Sequence, residues 1–154
     1  MSTVRDVLRV KGHDVWSIGC DVTVYEALKL MAEKNIGAVL VMDGDRLGGI
    51  LSERDYARKV SLHGKSAKNT SVGEIMTEKV VYVHPEQSTD ECMALMTDKR
   101  VRHLPVMEDD QVIGVISIGD VVKAIISHQE FIIGQLEHYI TGTPYQSRQF
   151  GDSV

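Results

Sequence analysis

Residues 49–55 read Gly-Ile-Leu-Ser-Glu-Arg-Asp, and residues 114–120, 65 positions later, read Gly-Val-Ile-Ser-Ile-Gly-Asp. The same offset aligns 36–42 with 101–107 and 22–28 with 87–93, without a gap. The register slips by three residues only before Val15, where the first copy carries extra residues. Self-similarity at one fixed offset is typical of a duplicated structural unit, so we expect two copies of a single repeat.

Each copy predicts the same order of elements, β-α-β-β-α. In the first helix Val24, Ala27, Leu28 and Met31 follow the spacing of one buried helix face. The uninterrupted apolar runs that come next predict buried strands. The first copy is predicted to have strands at 15–18, 38–42 and 47–51 and a second helix at 55–62. The second copy is predicted to have strands at 80–83, 104–107 and 112–116 and a second helix at 120–127.

The predicted organisation is therefore an α+β fold of two repeats with a helix added at the end. Its parts are a first repeat at 4–63, a linker at 64–71, a second repeat at 72–128, a C-terminal helix at 129–141 and a flexible tail at 142–154. The C-terminal helix has an apolar face that includes Ile132, Ile133 and Leu136. That face either packs on its own body or joins a dimer interface, and the sequence leaves both open.

Composition excludes several classes of partner. A formal net charge of -5 argues against nucleic acid or an anionic membrane surface, since both need clustered Lys and Arg. No apolar run approaches the ~20 residues of a membrane helix, and the first residues lack a secretory pattern. Cys20 and Cys92 are too few for a zinc site. We therefore expect a cytoplasmic protein with two reduced thiols and no metal.

The Ser-x-x-Asp pairs, Ser52 with Asp55 and Ser117 with Asp120, have two interpretations. Ser followed three residues later by an acidic residue is a helix capping box, which implies no ligand. Both pairs also close a buried strand and open a helix, where free N–H groups favour phosphate and a carboxylate can accept from ribose hydroxyls. The cap and the ligand-binding role are compatible.

The two closures, together with Glu74-Ile75-Met76-Thr77 at the start of the second copy, resemble the CBS domain, and two copies in tandem resemble a CBS pair, or Bateman module. The resemblance covers about Val4 to Ser127. It implies a pseudo-two-fold axis and two clefts that can hold AMP, ATP, NAD(H) or S-adenosylmethionine, with no required cofactor. It also implies a homodimer.

The resemblance further implies two unequal clefts. The first would place Ser117 on phosphate and Asp120 on ribose, with Arg102 and His103 on the phosphates. Adenine would lie against Val22, Ala27, Ile36 and Gly37. The second would use Ser52 and Asp55 with Gln87, Cys92 and Val101, near Met76. Its counterparts of the cationic pair are Gly37 and Ala38, and Arg54, Arg58 or Lys59 of the following helix is a possible substitute. The first cleft is therefore predicted to be the better nucleotide site.

Catalysis is not expected. The six histidines show no metal-type spacing, and neither a Walker-type phosphate loop nor a G-x-S-x-G elbow is present. The sequence favours a regulatory sensor that acts on an effector protein whose identity it does not reveal. The alternative is a structural dimerisation module with no physiological ligand.

Overall fold

The computed structural model describes residues 2–142 and shows two halves of the same architecture. The chain begins with helix α1 (Val4–Lys11). The first half contains β1 (Ser17–Ile18), α2 (Val24–Lys34), β2 (Ala38–Asp43), β3 (Arg46–Ser52) and α3 (Glu53–Asp55), which runs into a π-helical turn at Tyr56–Ser61. A 3-10 turn (Ala67–Asn69) and α4 (Val72–Ile75) connect the halves. The second half contains α5 (Thr89–Lys99), β4 (His103–Glu108), β5 (Gln111–Ser117) and α6 (Ile118–Thr141).

The strands of the two halves pair in the same register. Ala38 lies opposite Ser52 in the antiparallel β2–β3 pair, as His103 lies opposite Ser117 in β4–β5. Strand β1 runs parallel to β2, whereas its counterpart in the second half is a single parallel bridge between Val83 and Val106. The predicted duplication is confirmed, but the strands predicted at 15–18 and 80–83 are much shorter than expected.

Each half buries a short helix that is contributed by a different part of the chain. Helix α1 places Val4 and Leu8 in the core of the second half, and α4 places Val72 and Ile75 in the core of the first half. The sequence interpretation did not identify α1, which precedes the first half in the chain but packs in the core of the second half. We call 3–11 and 71–79 the docking segments.

The glycine that opens each Gly-x-x-Ser run makes room for a docking segment. A Cβ added to Gly114 would lie 2.6 Å from Leu8 Cδ2, and one added to Gly49 would lie 2.7 Å from Met76 Sδ. Contacts under 3.0 Å are not found between real Cβ atoms and their neighbours. Glycine at these two positions therefore lets the docking segment approach the strand closely.

Helix α6 continues through the predicted boundary between residues 128 and 129. Its 24 residues start at the Ser117 cap and end at Gly142, which has the left-handed conformation that commonly ends helices. The second helix of the second repeat and the predicted C-terminal helix are therefore one helix. The tail predicted at 142–154 lies, beyond Gly142, outside the described residues.

Candidate functional site

Two clefts of similar size lie between the halves. We name them after the acidic residue that each contains: the Asp55 cleft, about 370 Å³, and the Asp120 cleft, about 380 Å³. Ser52 lines the first and Ser117 the second. His103 lines both clefts, so it stands where they meet.

Both Ser-x-x-Asp pairs form complete capping boxes. Asp120 Oδ2 accepts hydrogen bonds from the backbone N–H of Ser117 at 2.8 Å and from its hydroxyl at 2.9 Å, and the Asp120 N–H donates to Ser117 Oγ at 3.2 Å. Asp55 and Ser52 make the same three bonds at 3.0, 3.1 and 3.2 Å. The cap interpretation is thus confirmed, and both pairs still face a cleft.

Cationic side chains concentrate in the Asp55 cleft. They come from the start of α3 and the turn after it, from the second docking segment, and from the end of α5 and the loop that follows it. The six are Arg54, Arg58, Lys79, Lys99, Arg100 and Arg102. Two carboxylates, Glu53 and Asp55, face them. Asp55 is also paired with Lys59 at 3.2 Å. The cleft therefore has a positive wall suited to a multiply charged anion.

The Asp120 cleft contains an ion pair. Lys11 Nζ donates to Asp120 Oδ2 at 2.6 Å and to the Val115 carbonyl at 2.7 Å. Burial acts to raise the pKa of Asp120, but hydrogen bonds from Lys11 and Ser117 outweigh it and the pKa is lowered. Trp16 also lines this cleft, with Lys34 Nζ 4.2 Å from its ring centroid.

His103 is held close to the backbone of the other half. A Cβ added to Gly37 would lie 3.3 Å from His103 Nε2, so the imidazole packs directly over this glycine. Burial, followed by the charge of Lys11, lowers the pKa of His103; Asp120 opposes this shift and Arg102 adds to it. The ring is therefore held in its neutral form more strongly than a free histidine.

Comparison with known proteins identifies the fold. The family model of the CBS domain matches residues 4–62 and again 72–127. The chain belongs to the CBS domain family. Its two halves are CBS repeats, and the α+β fold with a C-terminal helix is that of a CBS pair.

Several CBS proteins are similar over most of the chain. The mitochondrial CBS domain-containing protein CBSX3 of Arabidopsis thaliana is 43% identical over 151 residues, which cover 92% of this chain and 73% of that protein. A solved structure of a protein with CBS domains from Burkholderia ambifaria is 56% identical, with a TM-score of 0.80, and covers 83% of this chain and 96% of that one. The CBS pair of MJ0100, solved with 5′-methylthioadenosine and S-adenosyl-L-methionine, shares the fold at 22% identity, with a TM-score of 0.73 and coverage of 83% and 98%.

The clefts bring together part of the predicted site. Ser117, Asp120, His103, Ile36 and Gly37 line the Asp120 cleft as predicted. Ser52, Asp55, Arg54 and Val101 line the Asp55 cleft as predicted. Arg102, expected beside Asp120, lies in the Asp55 cleft instead. The Asp55 cleft thus has Arg102 in addition to Arg54 and Arg58.

Five predicted residues line neither cleft. Ala27 and Cys92 are fully buried in the cores of the two CBS repeats, where burial and then the charge of Glu91 raise the pKa of the Cys92 thiol to about 11. Met76 packs on Gly49. The side chain of Gln87 accepts from the His84 N–H and donates to Glu91, and Val22 offers its carbonyl to the Val72 N–H. These five residues therefore make core contacts or hydrogen bonds within the protein instead of lining a cleft.

Lys11 and Lys79, one in each cleft, were missed by the sequence interpretation. Aligning the two docking segments places Lys11 over Lys79, because the three-residue slip before Val15 changes the offset from 65 to 68. Aligning residues 3–11 with 71–79 at this offset would have identified both lysines from the sequence. The structure also places Trp16 in the Asp120 cleft.

Neither a metal site nor a membrane span was found in the part of the chain that the structure describes. No group of three or more His, Cys, Asp or Glu within 2–142 is arranged to hold a metal ion. No helix in the same range is long and apolar enough to cross a bilayer.

Proposed function

We propose that this CBS pair is a regulatory module that binds an adenine nucleotide in the clefts between its repeats and acts on a partner protein without catalysing a reaction. The observation that carries the proposal is the Asp55 cleft, where six cationic side chains stand beside a Ser-x-x-Asp helix start. A nucleotide needs both features, because its phosphates are anionic and its ribose donates hydroxyl hydrogens.

The Asp55 cleft suits a phosphorylated ligand. Arg100 and Arg102 can bind phosphate oxygens with their planar guanidinium groups. Asp55 keeps carboxylate oxygens that can accept from ribose. S-adenosylmethionine carries a positive sulfonium, so ATP, AMP or NAD(H) fit this wall better.

The Asp120 cleft suits the nucleoside part of a ligand. Trp16 offers an aromatic face to a base, while His103 is held neutral and Lys11 is engaged by Asp120. MJ0100 with its bound methylthioadenosine supports adenosine-type ligands for this fold. For multiply phosphorylated ligands we therefore reverse the ranking expected from the sequence and favour the Asp55 cleft.

We also propose a homodimer built on α6. Val122, Ile126, Ile133, Leu136 and Ile140 are each between 38% and 80% exposed. With Gln129 they follow one another at intervals of four and three residues, the heptad spacing of a coiled coil. Ile at the a positions and mainly Leu or Val at the d positions favour two strands, and one polar residue in such a seam can set the register.

An effector protein and a cytoplasmic location remain predictions from the sequence. The effector is expected because a binding module without a catalytic site can act only through a protein whose affinity its ligand changes. The Arabidopsis relative is mitochondrial, so location is open to direct test by imaging the tagged chain in its own cell.

Thermal shift against AMP, ADP, ATP, NAD, NADH and S-adenosylmethionine tests the binding proposal. A ligand at a hundred times its dissociation constant adds about 2.7 kcal/mol to the folded state and raises the midpoint by several degrees. We expect ATP to give a shift that Asp55→Ala reduces. No shift with any ligand would contradict the proposal and favour the structural dimerisation module, with both Ser-x-x-Asp pairs acting as helix caps alone.

A further inference from the structure

Each cleft receives one lysine from the end of a docking segment. Lys11 ends the first segment and lines the Asp120 cleft, and Lys79 ends the second and lines the Asp55 cleft. The alignment of 3–11 with 71–79 makes the two lysines counterparts in the duplication. Any difference between their contacts is therefore a difference between the two clefts.

The contacts of the two lysines differ. Lys11 Nζ bridges Asp120 Oδ2 and the Val115 carbonyl, and its side chain is 36% exposed. Lys79 is exposed, and within residues 2–142 it takes part in no hydrogen bond or ion pair. One lysine is engaged inside its cleft, and the other is available to a ligand.

The helix that follows each Ser-x-x-Asp pair explains the difference. Lys59, four residues after Asp55, pairs with Asp55 Oδ1 at 3.2 Å. The corresponding position after Asp120 is Ala124, which has no charge to offer. Asp120 therefore takes its cation from Lys11, at the end of α1, rather than from its own helix.

We propose that Lys11 gates the Asp120 cleft: its side chain must leave Asp120 before the ribose of a ligand can bind there. The inference rests on the proposed nucleotide function and names how one of its two clefts is regulated. Lys79, by contrast, binds phosphate in the Asp55 cleft without first breaking a contact. The two clefts of one duplicated fold then differ in whether the lysine at the end of the docking segment must break a contact before a ligand binds.

Opening the gate does not require helix α1 to unfold. Val4 and Leu8 are buried in the second core, and the Val4 N–H donates to the Gln87 carbonyl at 2.8 Å. These contacts hold α1 in place while the Lys11 side chain rotates. The helix is followed by Gly12, whose φ of 100° ends α1 directly after Lys11.

Trp16 allows the gate to be measured in one cleft only. It is the single tryptophan of the chain and lines the Asp120 cleft, so its fluorescence reports ligand there. Adenosine is the probe, because it has ribose and base but no phosphate. We expect Lys11→Met to bind adenosine about fivefold to tenfold more tightly than the unchanged protein, since the open form no longer has to compete with the ion pair.

Two variants serve as controls. Arg9→Met removes a charge from an exposed position of the same helix, outside both clefts, and is expected to leave adenosine affinity unchanged. Lys11→Arg keeps the charge and is expected to keep the affinity of the unchanged protein. Circular dichroism confirms that each variant is folded, and calorimetry measures adenosine binding independently of Trp16.

The outcomes separate the gate from the function. If Lys11→Met binds adenosine no more tightly than the unchanged protein while ATP still binds by calorimetry, the gate is refuted and the nucleotide function stands. If neither adenosine nor ATP binds to any variant at millimolar concentration, both are refuted. Tighter adenosine binding in Lys11→Met alone, with Arg9→Met unchanged, supports the gate.

Discussion

Among single residues, His103 is expected to make folding stability depend on pH. Its pKa is lowered in the folded protein, so below about pH 6.5 the unfolded chain binds a proton before the folded one does. Folding stability should therefore fall as pH decreases through the interval between the two values, and be unaffected by this group above it. The charged groups that act on the ring are Lys11, Arg102 and Asp120.

His103→Gln tests this pH dependence. The variant has no titrating ring at this position, so its stability should fall less than that of the unchanged protein between pH 7.5 and pH 5.5. Urea unfolding at several pH values measures the difference, and the five other histidines are common to both proteins. If the free energy of unfolding changes with pH to the same extent in the two proteins, the pKa of His103 is the same in the folded and unfolded states, which contradicts the prediction.

Arg102 distinguishes phosphate binding from nucleoside binding. It lies in the Asp55 cleft, where it faces the space next to Asp55. We expect Arg102→Gln to weaken ATP binding about tenfold, the effect of losing one charge-assisted contact, and to change adenosine binding less than twofold. Calorimetry with both ligands measures this, with Arg9→Gln as the control outside the clefts. Equal losses for ATP and adenosine would show that Arg102 does not act on phosphate.

The sequence predicted the site residues unevenly, for a geometric reason. Ser52, Asp55, Ser117 and Asp120 were found because their positions follow from the ends of strands. Arg102 was assigned to the same cleft as its neighbour His103, but Arg102 lines the Asp55 cleft and His103 lines both. Which cleft a residue lines at this point depends on how the two halves pack together, and repeat alignment alone does not give that packing.

Among the structural elements, the docking segments decide how the CBS repeats are stabilised. A Cβ on Gly49 would lie 2.7 Å from Met76 Sδ and 3.0 Å from the Thr77 carbonyl oxygen. Thr77 O accepts from the Ile50 N–H at 3.0 Å, so the backbone has little room to move. Close packing of the second docking segment on β3 therefore depends on the absence of a Cβ atom at Gly49.

Gly49→Ala is expected to destabilise the fold by about 1–3 kcal/mol, the usual cost of an added methyl in a packed core. Gly48→Ala is the matched control, because its Cβ would meet only the Val41 carbonyl at 3.4 Å, an ordinary contact. Urea unfolding of both variants gives the comparison. Equal effects at the two positions would mean that strand propensity, rather than the docking segment, sets the cost.

Helix α1 shows where sequence patterns stop being informative about elements. Val4, Val7 and Leu8 have helical spacing, but eight residues are too few to predict a helix that has no partner nearby in sequence. Their partners, such as Val83 and Leu104, lie about eighty to a hundred residues further on. Strands β2 to β5, in contrast, were predicted from local apolar runs and their repetition.

For the whole molecule, we expect a homodimer that forms through the apolar heptad positions of α6. Leu136→Glu places a charge in the apolar seam and should shift a dimer toward monomer at micromolar concentration. Gln135→Glu adds the same charge at the preceding residue, which is not one of the heptad positions, and should leave assembly unchanged. Sedimentation velocity measures both variants. A monomer in the unchanged protein, or a dimer that survives Leu136→Glu, would contradict the α6 interface.

The central claim is that the space between the CBS repeats binds an adenine nucleotide, and calorimetric titration of ATP into the purified chain and into Asp55→Asn tests it most directly. We predict saturable binding by the unchanged protein. We predict at least about tenfold weaker binding by the variant, because the Asp55 carboxylate accepts hydrogen bonds from the ribose hydroxyls. Circular dichroism of the variant controls for loss of the helix cap. Absence of saturable heat at millimolar ATP, or an affinity that Asp55→Asn leaves unchanged, would contradict the claim.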